Sequence, residues 1–158
     1  MNKKGIIFGI FITPEAKGEI FEVENIEAVA GIGLKGDRNY YKQQRLSAEK
    51  RKPKHELTLV EWESVDELNQ SGEFGVIKPE ELRRNLVTKG VDLNSLVGKQ
   101  FLVGDVRAEG LELCEPCRYL EKLTGKKIMK PLIHKAGLRA GILQDGIISK
   151  GDQVEILS

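Results

Sequence analysis

Val106-Arg107-Ala108-Glu109-Gly110-Leu111-Glu112-Leu113 runs directly into Cys114-Glu115-Pro116-Cys117. Apolar Val106, Ala108, Leu111 and Leu113 are interleaved with Arg107, Gly110 and Glu112, close to the two-residue period of a half-buried strand. Beyond it, Pro116 suits the first position of a helix, and Tyr119, Leu120 and Leu123 follow at helical spacing before Gly125. Strand, turn and short helix put Cys117 in a first helical turn, where unpaired N–H groups and the helix dipole favour an anion. A thiolate is such an anion. An ordinary thiol has a pKa of about 8.5, and a helix N-terminus or an adjacent cation such as Arg118 lowers it, so Cys117 is the better nucleophile or soft-metal ligand. Cys114, at the strand end, lies nearer the core with Glu115 as its only charged neighbour in sequence.

Two cysteines at this spacing suit a redox pair, half of a zinc site, or one reactive thiol beside a neighbour. Zinc sites need about four ligands, and the two histidines, His55 and His134, lack the paired spacing of zinc modules. A thioredoxin-type dithiol follows the first strand of a βαβ unit, a context absent here. Two cysteines buried as small hydrophobes are the plainest alternative. Each histidine reads as structural or superficial.

Short apolar runs punctuated by glycine, of which there are 17, describe a strand-rich fold. Strands are predicted over Gly5–Ile12, Ile26–Ala30, His55–Val60, Phe101–Val103, Val106–Leu113, Ala140–Leu143, Ile147–Ile148 and Val154–Leu157. Asp145-Gly146 is a hairpin signal that draws the last strands into a closing β-meander. Trp62, Val65 and Leu68 mark one short amphipathic helix, and Pro79-Glu80-Glu81-Leu82-Arg83-Arg84-Asn85-Leu86 opens like another. The stretch from Asn39 to Lys54 reads as a long loop and a flap over a site. Its basic run Lys50-Arg51-Lys52-Pro53-Lys54 has no aromatic interleaving beyond Tyr40 and Tyr41, and so reads as solvated. The expected fold is mainly β with short helices, an antiparallel barrel, closed or partly open, in a single domain over residues 1–158.

With 25 Lys and Arg against 24 Asp and Glu, the formal charge is +1. That balance gives no pull toward nucleic acid or a membrane surface. The apolar run Ile6–Ile12 is too short to span a bilayer, and no small-residue cleavage site follows it. The expected location is therefore the cytoplasm, with thiols kept reduced.

Four segments carry a resemblance. They are Gly31-Ile32-Gly33-Leu34-Lys35-Gly36-Asp37-Arg38; Pro79 through Arg84-Asn85-Leu86 to Gly90; Cys114-Glu115-Pro116-Cys117; and a close of Gly137-Leu138-Arg139-Ala140-Gly141-Ile142-Leu143, Asp145-Gly146-Ile147-Ile148 and Gly151-Asp152-Gln153-Val154. In this order the chain resembles the MOSC domain, named for the C-terminal domain of molybdenum cofactor sulfurase, over nearly its whole length. The resemblance implies a β-rich barrel in which Cys117 ligates molybdenum in the pterin cofactor or carries sulfur as a persulfide. Thiolate sulfur is a soft ligand suited to such metals and to sulfur exchange.

Molybdopterin is anionic through its phosphate and dithiolene, so the resemblance also points to Gly36, Asp37, Arg38, Arg84, Asn85 and Arg139 as cofactor-binding residues. Arginine forks pair with phosphate, and glycines admit close backbone approach. The implied role is cofactor binding or sulfur carriage during assembly, sulfuration or delivery. One alternative is a molybdenum-dependent reductase of N-hydroxylated compounds fed by an electron-donor protein, and another is a non-catalytic barrel that binds a ligand or protein. The sequence leaves open whether the chain is an enzyme, as a sulfur transferase or a molybdenum-dependent oxidoreductase. It carries no pyridoxal-phosphate domain, so a cysteine desulfurase or a molybdoenzyme is the implied partner.

Overall fold

The run at 106–113 is a strand in the computed structural model, which describes residues 4–115, 121–122, 125 and 132–157. Among the described residues the strands are β1 (Gly5–Ile12), β2 (Phe21–Val23), β3 (Asn25–Val29), β4 (Gly33–Leu34), β5 (Leu57–Glu61), β6 (Leu86–Lys89), β7 (Gln100–Val103), β8 (Val106–Leu113), β9 (Leu138–Ile142), β10 (Gly146–Ser149) and β11 (Gln153–Ile156). The α-helices described over their whole length are α1 (Arg38–Gln44) and α2 (Trp62–Ser71), and several single 3-10 turns accompany them. No helix among these residues is long and apolar enough to cross a membrane.

Seven strands close a barrel in the order β11-β7-β8-β9-β5-β6-β1, with β1 returning to β11 through Gly5↔Val154. The expected barrel is present, with one correction: β5 and β6 run parallel, Leu59 opposite Leu86, while the other barrel pairs are antiparallel. A parallel pair needs a crossover, supplied here by α2 and the turn at Pro79–Leu82. The segment Pro79–Leu86 is therefore no α-helix: one 3-10 turn ends at Arg83, in the left-handed region, and β6 begins at Leu86.

The closing meander is likewise replaced. β10 leaves the barrel and pairs with β3 in a three-stranded sheet, order β10-β3-β4, while β11 pairs with β7 and β1. Asp145 turns the chain outward, its Oδ1 accepting the Ala30 amide at 2.7 Å instead of closing a hairpin. Strand β8 also carries a bulge against β9 between Gly110 and Glu112, which explains why the apolar alternation changes phase at Leu111.

The barrel interior is filled by Ile7, Ile10, Leu57, Leu59, Leu86, Phe101, Val106, Ala108, Leu138, Ala140 and Val154, with neighbours from the small sheet. Strand alternation turns Val60 and Val87 outward, where Val65 and Leu68 of α2 cover them together with Ile77, Leu82 and Leu132. Both faces of β5 and β6 are thus buried, as parallel strands require.

Asn39–Lys54 is not a structureless flap. Asp37 caps α1 through the Asn39 amide, and Tyr40 and Gln43 form its buried face. Gln43 then clamps the following segment: Nε2 donates to the Lys52 carbonyl at 3.0 Å, and the Lys52 amide donates to Oε1 at 2.9 Å. Arg51 Nε donates to the Gln43 and Leu46 carbonyls, closing the C-terminal end of α1.

Glu56 ties the small sheet to the barrel. Its Oε1 accepts amides from Gly31 at 3.2 Å and Ile142 at 2.9 Å. Burial pushes its carboxyl above the ordinary 4.5, and the two N–H donors only partly offset that. A raised carboxyl pKa means that the folded state holds the proton more tightly, so stability falls as pH rises from 4.5 through the folded value. Glu56→Gln keeps the accepting oxygen and removes the titration. The expected result is a flatter dependence of Tm on pH above about 4.5, read by thermal denaturation across a pH series; an unchanged slope would exclude Glu56 as its source.

Candidate functional site

Several residues singled out in the sequence flank one belt of paired residues in the barrel wall. Ile10 lies opposite Leu86, Leu86 opposite Leu59, Leu59 opposite Leu138 and Leu138 opposite Leu113. On one side of this belt stand Thr13, Arg84-Asn85 and Arg139, the last opposite Thr58, and they form a rim of the barrel; on the other side stand Gly137 and Cys114.

Asn85 is buried and stitches three strands. Its Oδ1 accepts from the Thr58 amide at 3.2 Å and from Thr58 Oγ1 at 3.0 Å, while Nδ2 donates to the Phe11 carbonyl at 3.2 Å. Asp37 has the same character. It is buried, takes the Thr13 amide on Oδ1 at 3.0 Å and the Asn39 amide on Oδ2 at 3.2 Å, and meets Arg38 Nη1 at 3.4 Å. Both anchor the rim from within. Gly36, with φ of +103°, makes the turn that delivers Asp37.

The cations are partly exposed. Arg84 Nε donates to the Ala136 carbonyl at 2.9 Å. Arg139 lies between the Lys54 carbonyl, 3.5 Å from Nη1, and the Glu112 carboxylate, 3.8 Å from Nε. Cys114 is fully buried, its amide donating to the Gly137 carbonyl at 2.8 Å. Burial pushes its thiol up; Arg84 and Arg139 pull it down, and Glu112 and Glu115 push it up again. Glu115 is therefore not its only charged neighbour, since the fold adds two arginines and a second carboxylate. Cys114 stays a thiol at neutral pH. Cys117, with its expected first helical turn, lies outside the described residues.

His55, at the start of this rim, registers the local field. Burial lowers its pKa, and Lys42, Arg139, Lys54 and Lys52 lower it further by opposing its charged form. The basic run 50–54 therefore joins Arg139 in one positive region. His134 is exposed, its Nδ1 2.8 Å from Glu115.

The MOSC domain family model matches residues 47–155, more than two thirds of the chain. The chain belongs to the MOSC domain family. Solved structures share the fold across this MOSC domain: the YuaD protein from Bacillus subtilis is 18% identical, with TM-score 0.76, covering 99% of this chain and 98% of its own. YiiM from Geobacillus stearothermophilus is 13% identical, with TM-score 0.71, covering 98% and 75%. YiiM from Escherichia coli is 17% identical, with TM-score 0.66, covering 100% and 70%. No curated protein matches by sequence. MOSC domains are associated with molybdenum cofactor binding and sulfur chemistry.

Sequence reasoning passed over two residues of this MOSC domain that set the packing of β5 against its neighbours. Thr58 sits inside an apolar strand, and nothing in its neighbours announces that it meets Asn85. Gly137 belongs to a quoted motif, but its close approach to β5 depends on a strand pairing that sequence alone does not display.

Proposed function

We propose that this MOSC domain binds the molybdenum cofactor, with Cys117 as the thiolate ligand and the arginines of the barrel rim as counter-charge for the cofactor's anionic groups. The observation that carries this reading is the convergence of Arg84, from the segment before β6, and Arg139, from β9, on the strand end that leads into the Pro116-Cys117 segment. The donor set fits the group. Guanidinium forks suit phosphate, the surrounding lysines deepen the positive potential, and a thiolate is a soft ligand for the metal. When bound, the cofactor supplies a molybdenum centre able to exchange oxygen or sulfur ligands.

The protein's part is to hold and orient. Arg84 is fixed through Nε to Ala136, and Arg139 is held between Lys54 and Glu112. Arg38 extends the cationic edge from the capped start of α1, where Asp37 sets its position. Asn85 keeps β1, β5 and β6 in register beneath them.

The test is metal analysis with pterin fluorescence on protein purified from hosts able and unable to make the cofactor. The expected result is molybdenum and pterin together from the first host and neither from the second. Absence of both from a competent host, or a persulfide on Cys117 with no molybdenum, would overturn metal binding; the second outcome would favour sulfur carriage.

A further inference from the structure

Along the outer side of α1 runs a groove of about 550 Å³, lined by Pro14, Arg38, Asn39, Tyr41, Lys42 and Arg45 among others. Its size falls within the range of small-molecule sites, about 300–1,000 Å³. Three cations share this wall, with Arg38 and Lys42 one helical turn apart, a like-charge spacing that weakens a short helix. Arg38 meets Asp37, whereas neither Lys42 nor Arg45 has a carboxylate in ion-pair range among the described residues. The wall is rigid, because Gln43 and Arg51 bolt α1 to the segment behind it. Tyr41 is 42% exposed and braced edge-on against the buried Tyr40, with ring centroids 5.8 Å apart and planes at 83°. An exposed ring held in one orientation between unpaired cations has no role in the core and matches a phosphorylated heterocycle, with a face to stack on and charge for the phosphates.

We propose that the α1 groove is a nucleotide site, with Tyr41 as the platform for the base and Arg38, Lys42 and Arg45 as counter-charge for the phosphates. It adjoins the rim, since the Arg38 amide donates to the Thr13 carbonyl at 2.9 Å. The site does not depend on Cys117, and Arg38 is the residue it shares with the proposed cofactor site.

Isothermal titration with ADP, pyrophosphate and adenosine tests it. ADP is expected to bind more tightly than pyrophosphate, and adenosine weakest, with affinity falling as salt rises. Lys42→Glu and Arg45→Glu should each weaken ADP about tenfold. Tyr41→Ala should weaken ADP about fivefold or more while leaving pyrophosphate unchanged, and Tyr41→Phe should restore ADP binding. Pyrophosphate binding as tightly as ADP, or indifference to Tyr41→Ala, would reduce the groove to a patch of charge and overturn the proposal. The cofactor is itself a phosphorylated heterocycle, so the titration is repeated on cofactor-loaded protein. Unchanged ADP affinity supports a separate site, and ADP binding abolished by loading would assign the groove to the cofactor instead.

Discussion

Cys117→Ser is expected to leave the protein with a roughly tenfold or greater deficit in molybdenum, because even the partners that merely orient metal ligands are worth about 10–100-fold. Cys114→Ala is expected to retain most of the metal. The two thiols, three positions apart in sequence, differ in what the fold does to them. Cys114 is fully buried, hydrogen-bonded through its backbone to Gly137 and held in the protonated form by desolvation. A buried thiol packs as a small hydrophobe and reacts slowly. Since the chain has only two cysteines, thiolate chemistry falls to Cys117. Alkylation followed by mass spectrometry gives a second measurement: one thiol should react in the native protein and both after denaturation. Rapid native labelling of Cys114, or metal lost with Cys114→Ala and kept with Cys117→Ser, would reverse the assignment.

Gly137→Ala is expected to be the most damaging small substitution beside Cys114 and Arg84. Its φ of +120° lies where residues with a Cβ are strained, and an added Cβ would stand 2.2 Å from the Leu59 carbonyl oxygen and 3.6 Å from Arg84 Nε. The obstacle is backbone in the middle of β5, so relief requires pulling β9 away from it. Strain in such conformations costs about 1–3 kcal/mol, and the clash adds to it, giving about 3 kcal/mol or more in all. For a chain of this size that is a fall in Tm of roughly 10 °C, measurable by calorimetry. The same shift would displace the Cys114 amide and Arg84, so cofactor retention should fall with stability. A Tm within about two degrees of the parent would show that β9 can move freely.

The sequence revealed the elements whose side chains alternate and hid those whose identity depends on partners. β1 and β8 are legible from end to end because one face of each meets the barrel core. β4 is two residues long, too short to show a period, and β6 follows a proline and two acids that resemble a helix start. The parallel β5–β6 pair leaves no local trace, because both strands are simply apolar. α1 escaped notice because its buried positions are Tyr40 and Gln43, and a buried glutamine held by backbone partners does not register as hydrophobic periodicity. At the site, the arginines came into view through the family pattern. The setting of Cys114 did not, since its charged neighbours arrive from other strands.

The pairing of β1 with β11 sets the order of events as the chain is made. Gly5 waits for Val154, so the barrel cannot close until nearly every other strand has been synthesised. Contacts this distant along the chain slow folding. Until they form, part of β1 and the outer side of β7 remain bare edges of the kind on which strands from other molecules assemble. Short-lived protection of those two edges during translation would therefore govern how much of the protein reaches its closed form.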